Sequence, residues 1–207
     1  CATVTTSATI TTSGTGGVSL TSLTGAITVG AAISSATDLL LDSASTTALN
    51  SDLSAGSQGV LVKSVGRVTG SQGASAASPR FIRTAGGPIT LWTTGASGGV
   101  AFLDFAQLST TESGAAGADI TIGGGVASSS DASRPSGPAQ SSSAHGVALG
   151  SSNIRASAFV VRAGNGSFRV SGEHTGSGAF SGVKTQAGLD VLANKVTIWG
   201  KTAYSDT

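Results

Sequence analysis

The sequence predicts an all-β protein, a parallel β-solenoid with one short strand phrase per coil. Three observations lead to this fold class. Short stretches alternate apolar and small polar residues, the pattern of a strand with one buried face. Glycine contributes 31 of the 207 residues and interrupts nearly every window, so no helical periodicity survives and almost no helix is expected. One phrase also recurs: Gly86-Gly87-Pro88-Ile89-Thr90-Leu91-Trp92 and Gly117-Ala118-Asp119-Ile120-Thr121-Ile122-Gly123 are each a small-residue turn followed by apolar, Thr, apolar. A loose recurrence of roughly 20–33 residues is the mark of a solenoid.

The elements follow in order. Val4, Ala8 and Ile10 mark a Thr-rich strand pattern over Thr3–Thr12. Gly14-Thr15-Gly16-Gly17 turns the chain into Val18-Ser19-Leu20, and Thr24-Gly25 turns it into Ile27-Thr28-Val29. Leu39-Leu40-Leu41 is a dense apolar run, and Asp42–Ser57 reads as a polar connection to Val60-Leu61-Val62. A small polar loop, Ser71–Pro79, precedes Phe81-Ile82. Val100–Phe105 is apolar on both faces except at Asp104, as expected when each face meets protein. Residues 126–144, with two of the four prolines, read as a polar loop inserted into a single segment spanning 1–207. Strand phrases resume at Val147-Ala148-Leu149, Phe159-Val160-Val161, Phe168-Arg169-Val170, Leu189–Leu192 and Val196–Trp199.

A β-sandwich is the rival fold, since it also needs short, regularly spaced strands. Glycine-rich corners in place of Asn-Gly or Asp-Gly hairpin signals favour the solenoid. So does the likeness of core residues from phrase to phrase: in stacked parallel coils Ile89 lies beside Ile120, and Leu91 beside Ile122. A solenoid end needs a cap or further repeats, and neither terminus shows an obvious polar cap, so a segment of something longer, or an assembly, is expected.

Composition limits the function. Charged residues make up 10% of the chain and the net charge is +1. With no basic stripe, nucleic-acid binding through phosphate neutralisation is not expected. Low charge with only 4 prolines and a positive mean hydropathy of +0.24 argues for order rather than disorder. Aromatic residues are 4% of the chain and Met is absent. The core is therefore narrow and lined by Val, Ile, Leu and Ala, and the chain is expected to be a processed product, a fragment or an incomplete tracing. Cys1 is the only cysteine, so no intrachain disulfide is possible; a lipidated N-terminal residue is one reading of it, an incidental cut the other. No apolar run is long enough for a membrane-spanning helix.

The residues Gly86–Trp92, Ala118–Gly125, His145–Leu149 and Asn165–Gly172 resemble the repeats of filamentous-haemagglutinin-like bacterial surface proteins and adhesins. The likeness is best over Arg80–Gly200. It implies a right-handed parallel β-helix with loose coils of about 20–33 residues, on an extracellular or bacterial cell-surface protein. An Arg-Gly-Asp motif and the Asn-Pro-Asn-Gly type turn of two-partner secretion are both absent.

Chemistry-bearing residues are few. Asp104 and Asp119, or Asp38 and Asp42, are the candidates for the carboxylate groups of a polysaccharide lyase or glycosidase; corner aspartates are the plainer reading. Glu173-His174 near Arg169, with His145, is the only histidine-bearing patch, and no Gly-x-Ser-x-Gly elbow accompanies it. Gly114–Ile122 is one imperfect copy of a calcium-binding nonapeptide, which works only when successive copies share an ion. The Thr-x-Thr pairs at Thr3–Thr5 and Thr9–Thr11 suit strands as well as ice. Trp92 and Trp199 end the same phrase at the same phase, outward or at a corner. They are the candidate contacts for a protein or glycan partner, with packing under a neighbouring loop as the alternative. The expected function is a non-enzymatic structural or adhesive module forming a stalk, filament or envelope assembly. Association runs end to end or laterally, and no cofactor or metal is involved. The alternatives are a polysaccharide-acting enzyme and a sugar- or ice-binding solenoid.

Overall fold

The computed structural model describes residues 3–125, 137–150, 159–185 and 188–202. Fifteen strands come first, in groups of three. They are β1 (Thr3–Thr6), β2 (Ile10–Thr11), β3 (Val18–Ser22); β4 (Ala26–Val29), β5 (Ile33–Ser34), β6 (Asp38–Ser43); β7 (Thr47–Leu49), β8 (Leu53–Ala55), β9 (Gly59–Ser64); β10 (Val68–Gly70), β11 (Arg80–Thr84), β12 (Ile89–Thr93); and β13 (Val100–Phe102), β14 (Ala106–Ser109), β15 (Ile120–Gly124). Then come β16 (Ala139–Ser141), β17 (Val147–Leu149), β18 (Phe159–His174), β19 (Val183–Thr185) and β20 (Leu189–Thr202). Among the described residues the one helical turn is a short 3-10 segment at Glu112–Gly114.

All strand-to-strand pairing is parallel, in two sheets. One has seven strands in the order β1-β4-β7-β10-β13-β17-β19. The other has thirteen, eleven of them on a continuous path, β2-β5-β8-β11-β14-β18-β15-β12-β9-β6-β3, that curls into a half-barrel. This corrects the expected right-handed parallel β-helix with loose coils of about 20–33 residues. The strands are gathered into two sheets, one of them a curled half-barrel, rather than into a plain stack of coils with one strand phrase each. The reason lies in β18. Its 16 residues run unbroken beside both β14 and β15, through Val161↔Leu108 and Phe168↔Ile120, and so fuse two strand series into one sheet. Two smaller expectations also change. Asp42–Ser57 is not merely a polar connection, because Thr47–Leu49 and Leu53–Ala55 are strands. Within the expected polar loop, Ala139–Ser141 pairs with β18; residues 126–136 lie outside the described set, as does Cys1.

Register places like residue beside like. One row runs Val18, Leu39, Val60, Ile89, Ile120, Phe168, Val196; the next runs Leu20, Leu41, Val62, Leu91, Ile122, Val170, Ile198. Parallel strands lie about 4.8 Å apart, so the members of a row touch. From Leu39 to Val170 these side chains are essentially inaccessible to solvent. The pairs Ile89↔Ile120 and Leu91↔Ile122 are present as the phrase spacing predicts.

The corners explain the Ser and Thr content. A hydroxyl at a strand end repeatedly bonds the backbone three residues on. Ser43 Oγ donates to the Thr46 carbonyl at 3.0 Å, and Thr84 and Ser35 donate to the carbonyls of Gly87 and Asp38. The amides of Gly25 and Ala144 donate to Ser22 Oγ and Ser141 Oγ. Tight corners leave backbone polar groups off the ladder, and a short hydroxyl satisfies them where a long side chain would not fit. Glycine serves the same end at Gly86-Gly87: Gly86 has φ +89°, and a Cβ on Gly87 would lie 2.3 Å from the Gly59 nitrogen.

Ser43 Oγ also lies 3.0 Å from the Gly25 carbonyl. Ser43→Ala removes the one hydroxyl proton shared between these carbonyls and the acceptor of the Ser45 amide at 3.2 Å, and is expected to cost about 1–3 kcal/mol in chemical denaturation. Ser19→Ala, on the exposed face of β3, is expected to change stability by no more than about 0.5 kcal/mol. Equal effects of the two would refute the corner role.

Candidate functional site: the free edge of the last strand

Strand β20 pairs with β18 on one side, and among the described residues no strand lies on the other. Its 14 residues therefore present a row of backbone donors and acceptors to solvent. Val196 and Ile198 belong to the two core rows, yet they are 48% and 44% exposed, because the rows stop at them. Leu192 is 60% and Trp199 45% exposed on the same strand. Natural edge strands are usually blunted by proline, bulges or inward charges. Here the charged residues are Asp190, Lys195 and Lys201, and the segment 196–200 carries none.

Two ion pairs bind β20 to β18. Arg162 bridges to Asp190 at 2.5 Å, which holds the Asp190 carboxyl below its ordinary range. Lys201 Nζ lies 2.8 Å from Glu173 Oε1, and Gln140 Nε2 donates to Glu173 Oε2 at 2.9 Å. The hydrogen bond from Lys201, then that from Gln140, lowers the Glu173 carboxyl below its ordinary value of 4.5 against the opposing effect of burial. Lys195 has no ion-pair partner among the described residues.

The two tryptophans are placed differently. Trp92 is fully buried, opposite Gly123, and its indole N–H donates to the Gly125 carbonyl at 2.8 Å. It is not available to a partner. Trp199 sits opposite Ser171 on the free edge and is open to one. Their phase in the phrase is the same; the difference is that β12 has strands on both sides and β20 on one.

The other candidates resolve as follows. Asp119 Oδ1 accepts the Ser167 amide at 2.8 Å, and Asp104 is buried after β13. Asp42 pairs with Lys63 at 3.4 Å. Ser34, Ser54, Arg83, Glu112 and Ser113 line an open polar groove, where Arg83 Nε donates to Ser54 Oγ at 3.0 Å. His174 is buried, its Nδ1 2.8 Å from the Ala144 carbonyl. The Ser181 amide donates to His145 Nδ1 at 2.9 Å, and Phe180 packs on both imidazoles. Burial first, then the charge of Lys184, lowers the His145 pKa. Among the described residues neither imidazole bonds a serine hydroxyl, and no three His, Cys, Asp or Glu side chains group as metal ligands. The threonine row Thr5, Thr28, Thr69 is broken by Ala48, Ala101 and Ala148.

Comparison with protein-family models, with curated proteins and with solved structures finds no match. The fold and site therefore define a class only: an all-β chain of two parallel sheets, with one apolar strand that is paired on one side among the described residues. Among the described residues no helix is long and apolar enough to cross a membrane.

Folded Glu173 has a lowered pKa, so its contribution to stability is complete above about pH 4.5 and is lost as pH falls through the lower folded value. Lys201 is 59% exposed and solvent screens the pair, so Glu173→Gln is expected to cost under about 1 kcal/mol at neutral pH. It is also expected to flatten the acid limb of the melting temperature against pH. An unchanged acid limb would remove Glu173 from the account.

Proposed function

We propose that the chain is a non-enzymatic structural module of an extracellular or bacterial cell-surface protein, serving adhesion or envelope assembly by strand addition at its open edge. One observation carries this reading: among the described residues Val196 and Ile198 of the core rows are half exposed, on a strand that is paired on one side. An added strand would satisfy that backbone row and cover those side chains together. The likeness of Gly86–Trp92 and Asn165–Gly172 to the repeats of filamentous-haemagglutinin-like proteins supports the same reading. Such a module needs no reaction centre; its work is mechanical continuity through backbone hydrogen bonds and a dry core. Its partners are a protein or glycan surface, or further copies of itself.

The enzymatic alternative has one observation in its favour, the groove that carries Arg83 and Glu112. Two charged groups there fall short of the three or more that glycan cleavage on such a face would call for.

Light scattering over a concentration series, with negative-stain electron microscopy of the same samples, tests the proposal. The expected outcome is association that rises with concentration, and a dissociation constant about tenfold weaker for Ile198→Lys, which is ~1.4 kcal/mol. A strictly monomeric protein that depolymerises a polysaccharide, and loses that activity in Arg83→Ala, would overturn it.

A further inference from the structure

We infer that the groove over β5, β8 and β11 is a binding site for an acidic sugar, with the sugar carboxylate held by Arg83. This deepens the adhesive reading above by giving it a ligand, and it does not depend on strand addition. The groove holds about 460 Å³, within the range of small-ligand sites. Each strand of its floor is paired on both sides: β5 lies between β2 and β8, β8 between β5 and β11, and β11 between β8 and β14. The site is built from the interior of the sheet, and no sheet edge enters it.

Three side chains form one row across the floor. Ser34, Ser54 and Arg83 are register partners on successive strands, each about 4.8 Å from the next. Arg83 is exposed, yet it is held twice. Its Nε donates to Ser54 Oγ at 3.0 Å, and its guanidinium carbon lies 5.3 Å from the centre of the Phe81 ring. Both terminal nitrogens are left without a partner among the described residues. Arg80 and Arg162, by contrast, bridge to Asp52 and Asp190. A planar fork fixed at Nε and against an aromatic ring, with its outer N–H groups open, suits a carboxylate end-on.

The rest of the groove suits hydroxyl groups. Ser34 Oγ has no partner among the described residues, and Ser54 Oγ, which accepts from Arg83, keeps its own proton to donate. Glu112 also lines the groove and makes no ion pair among the described residues. Its carboxylate can accept from a sugar hydroxyl, and it opposes a second anion. Ser113 beside it has φ +56°, a left-handed backbone rare outside glycine, and strain of this kind gathers at ligand sites. One negative charge at Arg83 with hydroxyls beyond it describes a uronic or sialic acid unit better than a sulfated polyanion.

Isothermal titration calorimetry of the full chain tests this with trigalacturonic acid and with sialyllactose, which carry the carboxylate on a uronic and on a sialic acid. Maltotriose and lactose are the neutral counterparts. At least one acidic probe is expected to bind, and its neutral counterpart about tenfold more weakly or not at all. Arg83→Gln is expected to bring the acidic probe down to the neutral level. Ser54→Ala, which keeps the charge but frees Nε, is expected to weaken binding about threefold. Arg169→Gln, at an exposed arginine outside the groove, is expected to leave binding unchanged. Absence of binding by both acidic probes overturns the inference. So does equal binding of acidic and neutral sugars, tighter binding of a heparin oligosaccharide, or equal loss in Arg83→Gln and Arg169→Gln variants that melt like the parent. In each of these cases the structural reading survives, since the concentration series tests it separately. Cleavage of a probe, lost in Arg83→Gln, overturns both.

Discussion

The in-register parallel ladder is the constraint on which the rest depends. A parallel strand pair offers no local turn to hold it; partners are brought together from distant positions, as Ile120 and Phe168 are. What keeps them aligned is that a slip of one residue would turn a row of buried Ile, Val and Leu to the solvent. Every row therefore reinforces the register of its neighbours. The chain needs few large side chains for this, because along the rows from Leu39 to Phe168 and from Leu41 to Val170 each buried residue is covered on both sides by another apolar one. A core of small aliphatic residues with little aromatic content follows directly.

Corners are the cost of that arrangement. Each place where the chain leaves a strand exposes amides and carbonyls that the ladder cannot use, close to a dry interior. The strand-end hydroxyls of Ser22, Ser43, Thr84 and Ser141 reach those groups. At Gly87 and Gly117 the neighbouring backbone comes too close for any side chain, and Gly117 also has φ +94°. A composition of Gly, Ser, Thr and Ala that might pass for disorder is thus the composition that closely stacked corners demand.

Much of this was legible in the sequence. Alternation marked Ile27–Val29, Val60–Val62 and Ile89–Trp92 as strands, and the repeated phrase gave the pairing of Ile89 with Ile120. The two-residue strands β2 and β5 were not legible as separate strands, because so short a piece holds less than one full alternation. The fusion of strand series by β18 was hidden for a different reason. Phe159–Val161 and Phe168–Val170 read as separate strand phrases, yet the chain runs between them, through Gly164 and Gly166, as one irregular strand. The site was half legible. Phase in a phrase says which face a residue takes, so Trp92 and Trp199 looked alike. Whether that face is covered depends on the strands beside it, and only topology supplies that.

Edge exposure and row termination are one phenomenon. A ladder gains stability from each added strand, and among the described residues β20 has one backbone side and its share of the core rows unmatched. Polar groups at the edge would lessen the mismatch by solvation, and they do so at Asp190 and Lys201, each held by a partner on β18. Between them, from Val196 to Gly200, nothing polar except Thr197 intervenes. That stretch continues the third strand series, whose inward residues are buried in every preceding strand from Leu39 onward. The part of the edge that continues the best-buried rows is the part left uncharged. Solubility alone would favour charge there, whereas continuation of the ladder favours the residues that are present.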